Sequence, residues 1–136
     1  MIVVSDASPL IALAAVGELQ LLRVLYGEVL VPDGVFAEAT GEGRPGADAV
    51  RRAEWIRRVR VLDQARVASL PPEIDRGEAE AIVLALEVQA DALLIDERRA
   101  RRVAARFGIP LTGVLAVLLA AKARGLIPAV RPLSIA

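Results

Sequence analysis

Four carboxylates stand where a chain of alternating strands and helices could bring them together. Asp6 follows the β-branched run Ile2-Val3-Val4 after a single serine, and Asp96 directly follows the apolar run Ala92-Leu93-Leu94-Ile95. Glu38 lies four residues after Gly34, on a short predicted helix entered from the run Val29-Leu30-Val31. Glu78 opens a long apolar helix predicted from Gly77 to Val88. In an open parallel sheet, ligands bind outside the carboxyl ends of the strands, which is where Asp6 and Asp96 should lie. Each acid alone has a plainer use. A strand-ending Asp can simply cap the next helix, and a Glu in a first turn can cap its own. Together at one sheet edge, they would repel one another strongly unless a divalent cation neutralised them. Mg2+ and Mn2+ are hard ions that prefer such oxygen ligands.

What the chain lacks narrows the chemistry further. The 136 residues contain no Cys and no His, so disulfides, thiolate or imidazole metal sites and histidine general-base catalysis are excluded. Catalysis would have to use carboxylates, hydroxyls, Arg, Lys122 or a bound metal. Hydrophobic residues make up 55% and aromatics only 3%, so the core must be built from Ala, Val, Leu and Ile. With a formal net charge of zero, binding to nucleic acid would need a local basic patch. Two clusters offer one. Arg98, Arg102 and Arg106 share a face at helical spacing, with Arg99 close to it and Arg101 on the same helix. Arg51, Arg52, Arg57, Arg58 and Arg60 form the second. Either could contact phosphates or be an ordinary solvated face. No apolar run is long enough to span a membrane, and the start MIVVSDASPL lacks the basic lead and long apolar core of a signal peptide. The expectation is a soluble, cytoplasmic protein.

The elements that must position these residues read as alternating strands and helices. Strands are expected at 2–4, 29–31, 59–62 (toward an edge), 92–95 and 109–111. Helices are expected from Ser8 as cap with Pro9 first, and then over 19–25, 34–40, 47–57 (with Trp55 packing inward), 77–88, 98–107 and 113–124, the last capped by Thr112. Residues 41–48 should be a loop, 63–74 are mixed with Pro71-Pro72 breaking any helix, and 126–136 form a tail that could hold a terminal strand. This pattern implies one α/β domain over 1–136 with a mostly parallel sheet and right-handed crossovers. On the helix opened by Asp75, Glu78 borders the apolar face, whereas Glu80 falls nearly opposite and is expected to be solvated.

The segments SDASPLIALA, VPDGVFAEAT, GEAEAIVLALE, ADALLIDERRARRVA and LTGVLAVLLAAKARGLI follow one another over residues 2 to about 127. In order and spacing they resemble the PIN-domain family, within a bacterial and archaeal branch of largely unassigned function. The resemblance implies a three-layer α/β/α sandwich around a mostly parallel sheet and metal-dependent cleavage of RNA. It implies one or two Mg2+ or Mn2+ ions held by Asp6, Glu38, Glu78 and Asp96, with Ser8 orienting the first acid or a water. Arg98 and Arg102 would hold the RNA. By the same resemblance the chain would be the toxin of a toxin–antitoxin pair, held by an antitoxin protein. It would also form a homodimer, for which the Ala/Leu-rich helix 113–123 offers apolar surface unless that helix is simply core.

Three departures from the family pattern stand out. Glu78 replaces a frequent Asp, Leu94 replaces a frequent hydroxyl residue, and Glu97 beside Asp96 could act as a further ligand. They favour the alternative, a catalytically inactive PIN-like module that binds RNA or protein. A receiver-like phosphoacceptor fits worse, because the chain has no second acid beside Asp6 and no Lys after the last strand.

Overall fold

The protein, described here by a computed structural model over residues 1–127, is organised on five short parallel strands. They are β1 (Val3–Ser5), β2 (Val29–Pro32), β3 (Ile56–Val59), β4 (Ala92–Leu94) and β5 (Leu111–Thr112), in the order β3-β2-β1-β4-β5. β1 lies at the centre, with Val4 opposite Leu30 on one side and Leu93 on the other. Val3 and Val4 point to opposite faces of the sheet and both are fully buried, so both faces are covered. The edge strands are weaker. β5 has two residues, and β3 buries Ile56 but exposes Arg57 and Arg58.

Among the described residues, eight helices connect and cover the sheet: α1 (Ala7–Ala15), α2 (Gln20–Tyr26), α3 (Asp33–Ala39), α4 (Ala47–Arg52), α5 (Gln64–Ser69), α6 (Arg76–Glu87), α7 (Arg98–Arg106) and α8 (Val114–Ala123). α6 lies against β1, β2 and β4 with α5 and α7 beside it, α8 packs on α1 and α2, and α3 touches both α1 and α6. The expected three-layer α/β/α architecture with a parallel sheet is therefore present. The chain leaves β1 toward β2 and leaves β4 toward β5, in opposite directions across the sheet. Such a reversal opens a crevice at the carboxyl ends of the two strands, and Asp6 and Asp96 border it.

Several element boundaries differ from the sequence-based expectation. α1 starts at Ala7 with Asp6 as its N-cap, so Ser8 lies in the first turn. The fourth helix stops at Arg52, and the third strand is Ile56–Val59, not 59–62. Its register pairs Ile56–Val59 with Val29–Pro32, and the chain beyond loses the ladder, with Val61 still buried but Leu62 80% exposed. Trp55 is half-buried against the core, as expected, but precedes this strand. The mixed stretch after residue 62 contains α5, capped by Asp63 through the Arg66 N–H and ended before Pro71. Thr112 belongs to β5, and Gly113 is the N-cap of α8. Of the anticipated tail, the part from residue 128 onward lies outside the described residues.

Candidate active site

Asp6 reaches the crevice as the residue after β1. Its backbone N–H donates to Leu94 O at 2.9 Å, extending the β1–β4 ladder by one step. The side chain is only 3% exposed and makes no side-chain capping bond to α1. Burial pushes its pKa up to about 7, against a favourable contribution from the Ala7 N–H. The negative charges of Glu78, Asp75 and Glu38 push it in the same direction as burial.

Glu78 arrives on the first turn of α6. It forms a reciprocal capping box with Asp75, whose Oδ1 accepts the Glu78 N–H at 2.7 Å, while Glu78 Oε1 accepts the Asp75 N–H at 2.8 Å. Glu78 is buried, and burial raises its pKa. The Asp75 N–H works against that rise, and the charges of Asp75, Glu97 and Glu38 add to it. Glu38 comes in half-buried on α3. A Cβ on Gly77 would lie 3.5 Å from Glu38 Oε1 and 3.5 Å from Asp75 Oδ1, ordinary contact distances that place both carboxylates beside the start of α6. Asp6, Glu38 and Glu78 are thus brought into one electrostatic neighbourhood, and Asp75 joins them. Sequence reasoning marked Asp75 only as a cap. The spacing Asp-x-x-Glu before an apolar run was the signal that Asp75 and Glu78 would share a site as well as a capping box.

Asp96 borders the crevice differently. It is exposed, and its carboxylate accepts the Val114 N–H at 3.1 and 3.3 Å, capping α8 from across the β4–β5 pair. Gly113 leaves room for that carboxylate, because a Cβ there would collide with Asp96 Oδ1. Arg101 closes the same corner by donating to Ile95 O at 2.6 Å and Thr112 O at 3.1 Å. Asp96 is not among the charges that act on Asp6. Glu97 caps α7 through the Ala100 N–H, which holds its pKa down. Ser8 is exposed in the first turn of α1, two residues past Asp6.

Glu80, expected to be solvated, is buried at 7% exposure. A helical wheel gives α6 an outer face at Glu80, but the helix is covered on all sides from Glu78 to Ala85. The two basic clusters also separate. Arg51 pairs with Asp48, Arg57 with Glu28 and Arg58 with Asp33, while Arg58 also stacks over Phe36 at 4.7 Å. On α7, Arg98, Arg99, Arg102 and Arg106 are exposed and form no ion pair among the described residues. Arg99, Arg102 and Arg106 line a groove of about 330 Å³ with Glu73 and Val103.

The donor set around Asp6 suits a hard divalent cation. It is all oxygen, it includes a buried carboxylate whose ionisation is opposed by its neighbours, and it contains no softer ligand. As the side chains stand, no three acids among the described residues surround a single point. Bare carboxylates repel one another, and Glu78 and Asp96 are each engaged by a backbone N–H. In chemistry the set fits the ion, and the cation would supply the attraction that draws the oxygens together.

A family model described as a PIN domain matches residues 2–134, and the chain belongs to that family. No curated protein matches it. PIN domains are generally nucleases and typically use divalent metal ions. No helix among the described residues is long and apolar enough to cross a membrane.

Proposed function

We propose that the protein is a divalent-metal-dependent endoribonuclease that hydrolyses RNA phosphodiester bonds and works in the cytoplasm as the toxin of a toxin–antitoxin module, in one PIN-like domain over 1–136. The observation that carries this is the buried Asp6 carboxylate, surrounded by the charges of Glu78, Asp75 and Glu38 at the switch point of the sheet. Asp6, Glu38 and Glu78 would hold Mg2+ or Mn2+, with Asp96 completing the set from the end of β4. The bound ion would acidify a water and stabilise charge building on the phosphate. The chain's own part is positional. The capping box fixes Glu78, the β1–β4 ladder fixes Asp6, and the exposed hydroxyl of Ser8, two residues past Asp6, would orient that acid or a water. Arg98 and Arg102, without an ion-pair partner among the described residues, would offer their guanidinium groups to the RNA backbone along α7. The outer face of α8 exposes Leu115 and Leu119, at 61% and 52%, above a buried inner face of Val114, Val117, Leu118 and Ala121. That outer face suits the homodimer expected of the chain, and an antitoxin would be its other protein partner.

The alternative, a PIN-like module that binds RNA or protein without cleaving it, is favoured by one observation. Glu78 and Asp96 are both engaged by backbone N–H groups. Incubation of mixed RNAs with Mn2+, Mg2+ or EDTA, using wild type, Asp6→Asn and Asp96→Asn, separates the two. Metal-dependent cleavage lost in both variants supports the nuclease. A folded wild type that neither cleaves RNA nor binds the ions supports the binding module.

A further inference from the structure

Glu80 is a buried acid that the proposed chemistry does not use. It lies two residues past Glu78 on α6 and points toward α3. Its Oε1 accepts the Gly34 N–H at 3.1 Å, and its Oε2 lies 3.4 Å from Arg76 Nε. Gly34 is the second residue of α3, so its N–H is one of those a helix start leaves without an internal partner. α3 has no capping side chain of its own, because its N-cap is Pro32. The acceptor comes from the neighbouring helix, and a carboxylate is well suited to the positive end of the helix dipole. The fit is close, since a Cβ on Gly34 would lie 2.5 Å from Glu80 Oε1 and 3.3 Å from Glu80 Cδ.

The same two helix faces carry a second contact one turn away. Glu38 is four residues after Gly34 on α3, and Gly77 is three residues before Glu80 on α6, so each pair shares a face. Glu38 Oε1 approaches Gly77, and Glu80 approaches Gly34. The helices therefore cross antiparallel, with Glu80 held tightly against Gly34 and Glu38 in van der Waals reach of Gly77. At one end the glutamate is bound to backbone, and at the other it faces Asp75, Glu78 and Asp6.

We infer that Glu80 is a positioning residue, whose bond to Gly34 fixes α3 against α6 and thereby sets the Glu38 carboxylate beside Asp6 and Glu78. This rests on the ion-binding role of those acids given above.

The test is Mn2+ affinity of the metal-free full chain, by titration calorimetry, with thermal unfolding recorded for every variant. Glu80→Gln keeps an oxygen acceptor for the Gly34 N–H and should bind Mn2+ within about twofold of wild type. Glu80→Ala should bind at least about tenfold more weakly, as removal of outer-shell partners typically does. Gly34→Ala should weaken binding similarly, since its methyl occupies the place of the carboxylate. The pair Gly34→Ala/Glu80→Ala should be no weaker than Glu80→Ala alone, because the vacated space accepts the methyl. It also provides the same comparison if Glu80→Ala does not fold.

Glu87→Ala controls for simple destabilisation. Glu87 accepts the Leu62 and Asp63 N–H groups at the far end of α6, so its loss should lower the melting temperature without changing Mn2+ affinity. Equal affinity losses in Glu80→Ala and Glu87→Ala, or unchanged affinity in Glu80→Ala, would overturn the positioning role. A wild type that binds no Mn2+ would instead overturn the metal-dependent function, and the inference with it.

Discussion

Replacing Asp6 with Asn should make the metal-free protein more stable above neutral pH, although it removes the central acid of the proposed site. Asp6 has its pKa raised from 3.8 to about 7, chiefly by burial. Because the folded-state value is raised, the native chain binds the proton more tightly than the unfolded chain does. Stability therefore falls as pH rises from 3.8 to 7, and the full cost is carried above 7. A shift of about 3 units corresponds to roughly 4 kcal/mol, which is a ceiling for this group. Asn keeps the shape, cannot ionise, and retains a smaller cost for a buried amide, so a net gain of about 1–3 kcal/mol at pH 8 is expected. For a domain of this size that is roughly 3–12 °C in melting temperature. The assay is thermal unfolding of both proteins with EDTA at pH 4, 6 and 8. The advantage of Asp6→Asn should be absent at pH 4, where Asp6 is largely protonated, and should grow with pH. Millimolar Mn2+ should then reverse the ranking at pH 8, because only the intact acid set gains from ligand binding. If Asp6→Asn is less stable than wild type at pH 8 in EDTA, or shows the same pH slope, the burial-driven cost assigned to Asp6 is wrong.

Arg102→Ala should weaken binding of a short RNA and reduce the slope of log affinity against log salt by about 0.7–0.9, whereas Arg58→Ala, already engaged with Asp33 and Phe36, should leave the slope unchanged. Fluorescence anisotropy at several salt concentrations distinguishes them. The double substitution Leu115→Asp/Leu119→Asp should convert the expected homodimer to monomer in sedimentation velocity without changing the circular dichroism, because both side chains already face solvent. Gly46→Ala should lose roughly 2–4 kcal/mol in urea unfolding, since Gly46 has φ 77° and a Cβ there would lie 2.8 Å from the Ala14 carbonyl carbon.

The sequence made the strand-helix alternation and the strand-ending acids readable, because buried parallel strands are continuous apolar runs and their exits need polar residues. Asp6 and Glu78 are both buried beside a common set of charges, and Glu38 reaches the same place on α3. What remained hidden depended on partners distant in the chain. Glu80 lies on the wheel opposite the apolar stripe, but α3, α5 and α7 leave α6 no solvated side there. Asp96 caps a helix that starts eighteen residues later, and no local pattern announces a cap delivered across two strands. α5 was masked because its six residues carry no apolar periodicity, only an Asp63 cap and a following proline. The third strand lies earlier than its alternation suggested because β2 is four residues long and its register is used up by Ile56–Val59, a pairing no local pattern announces. The match of residues 2–134 to the PIN-domain family supports the fold that the quoted segments suggested.

The central place of β1 has a consequence for how the protein is made. Val4 meets its first strand partner, Leu30, after 26 residues (30 − 4), but its second, Leu93, only after 89 (93 − 4). At roughly 5–20 residues per second of translation, the 63 residues from Leu30 to Leu93 (93 − 30) leave β1 with one edge open for about 3–13 s. The acid made first is thus among the last to be buried, since its enclosure needs both α6 and β4. While β4 is still unmade, the newborn first half offers chaperones a bare apolar strand edge for several seconds, and the carboxylate of Asp6 stays in water until the second half of the chain closes over it.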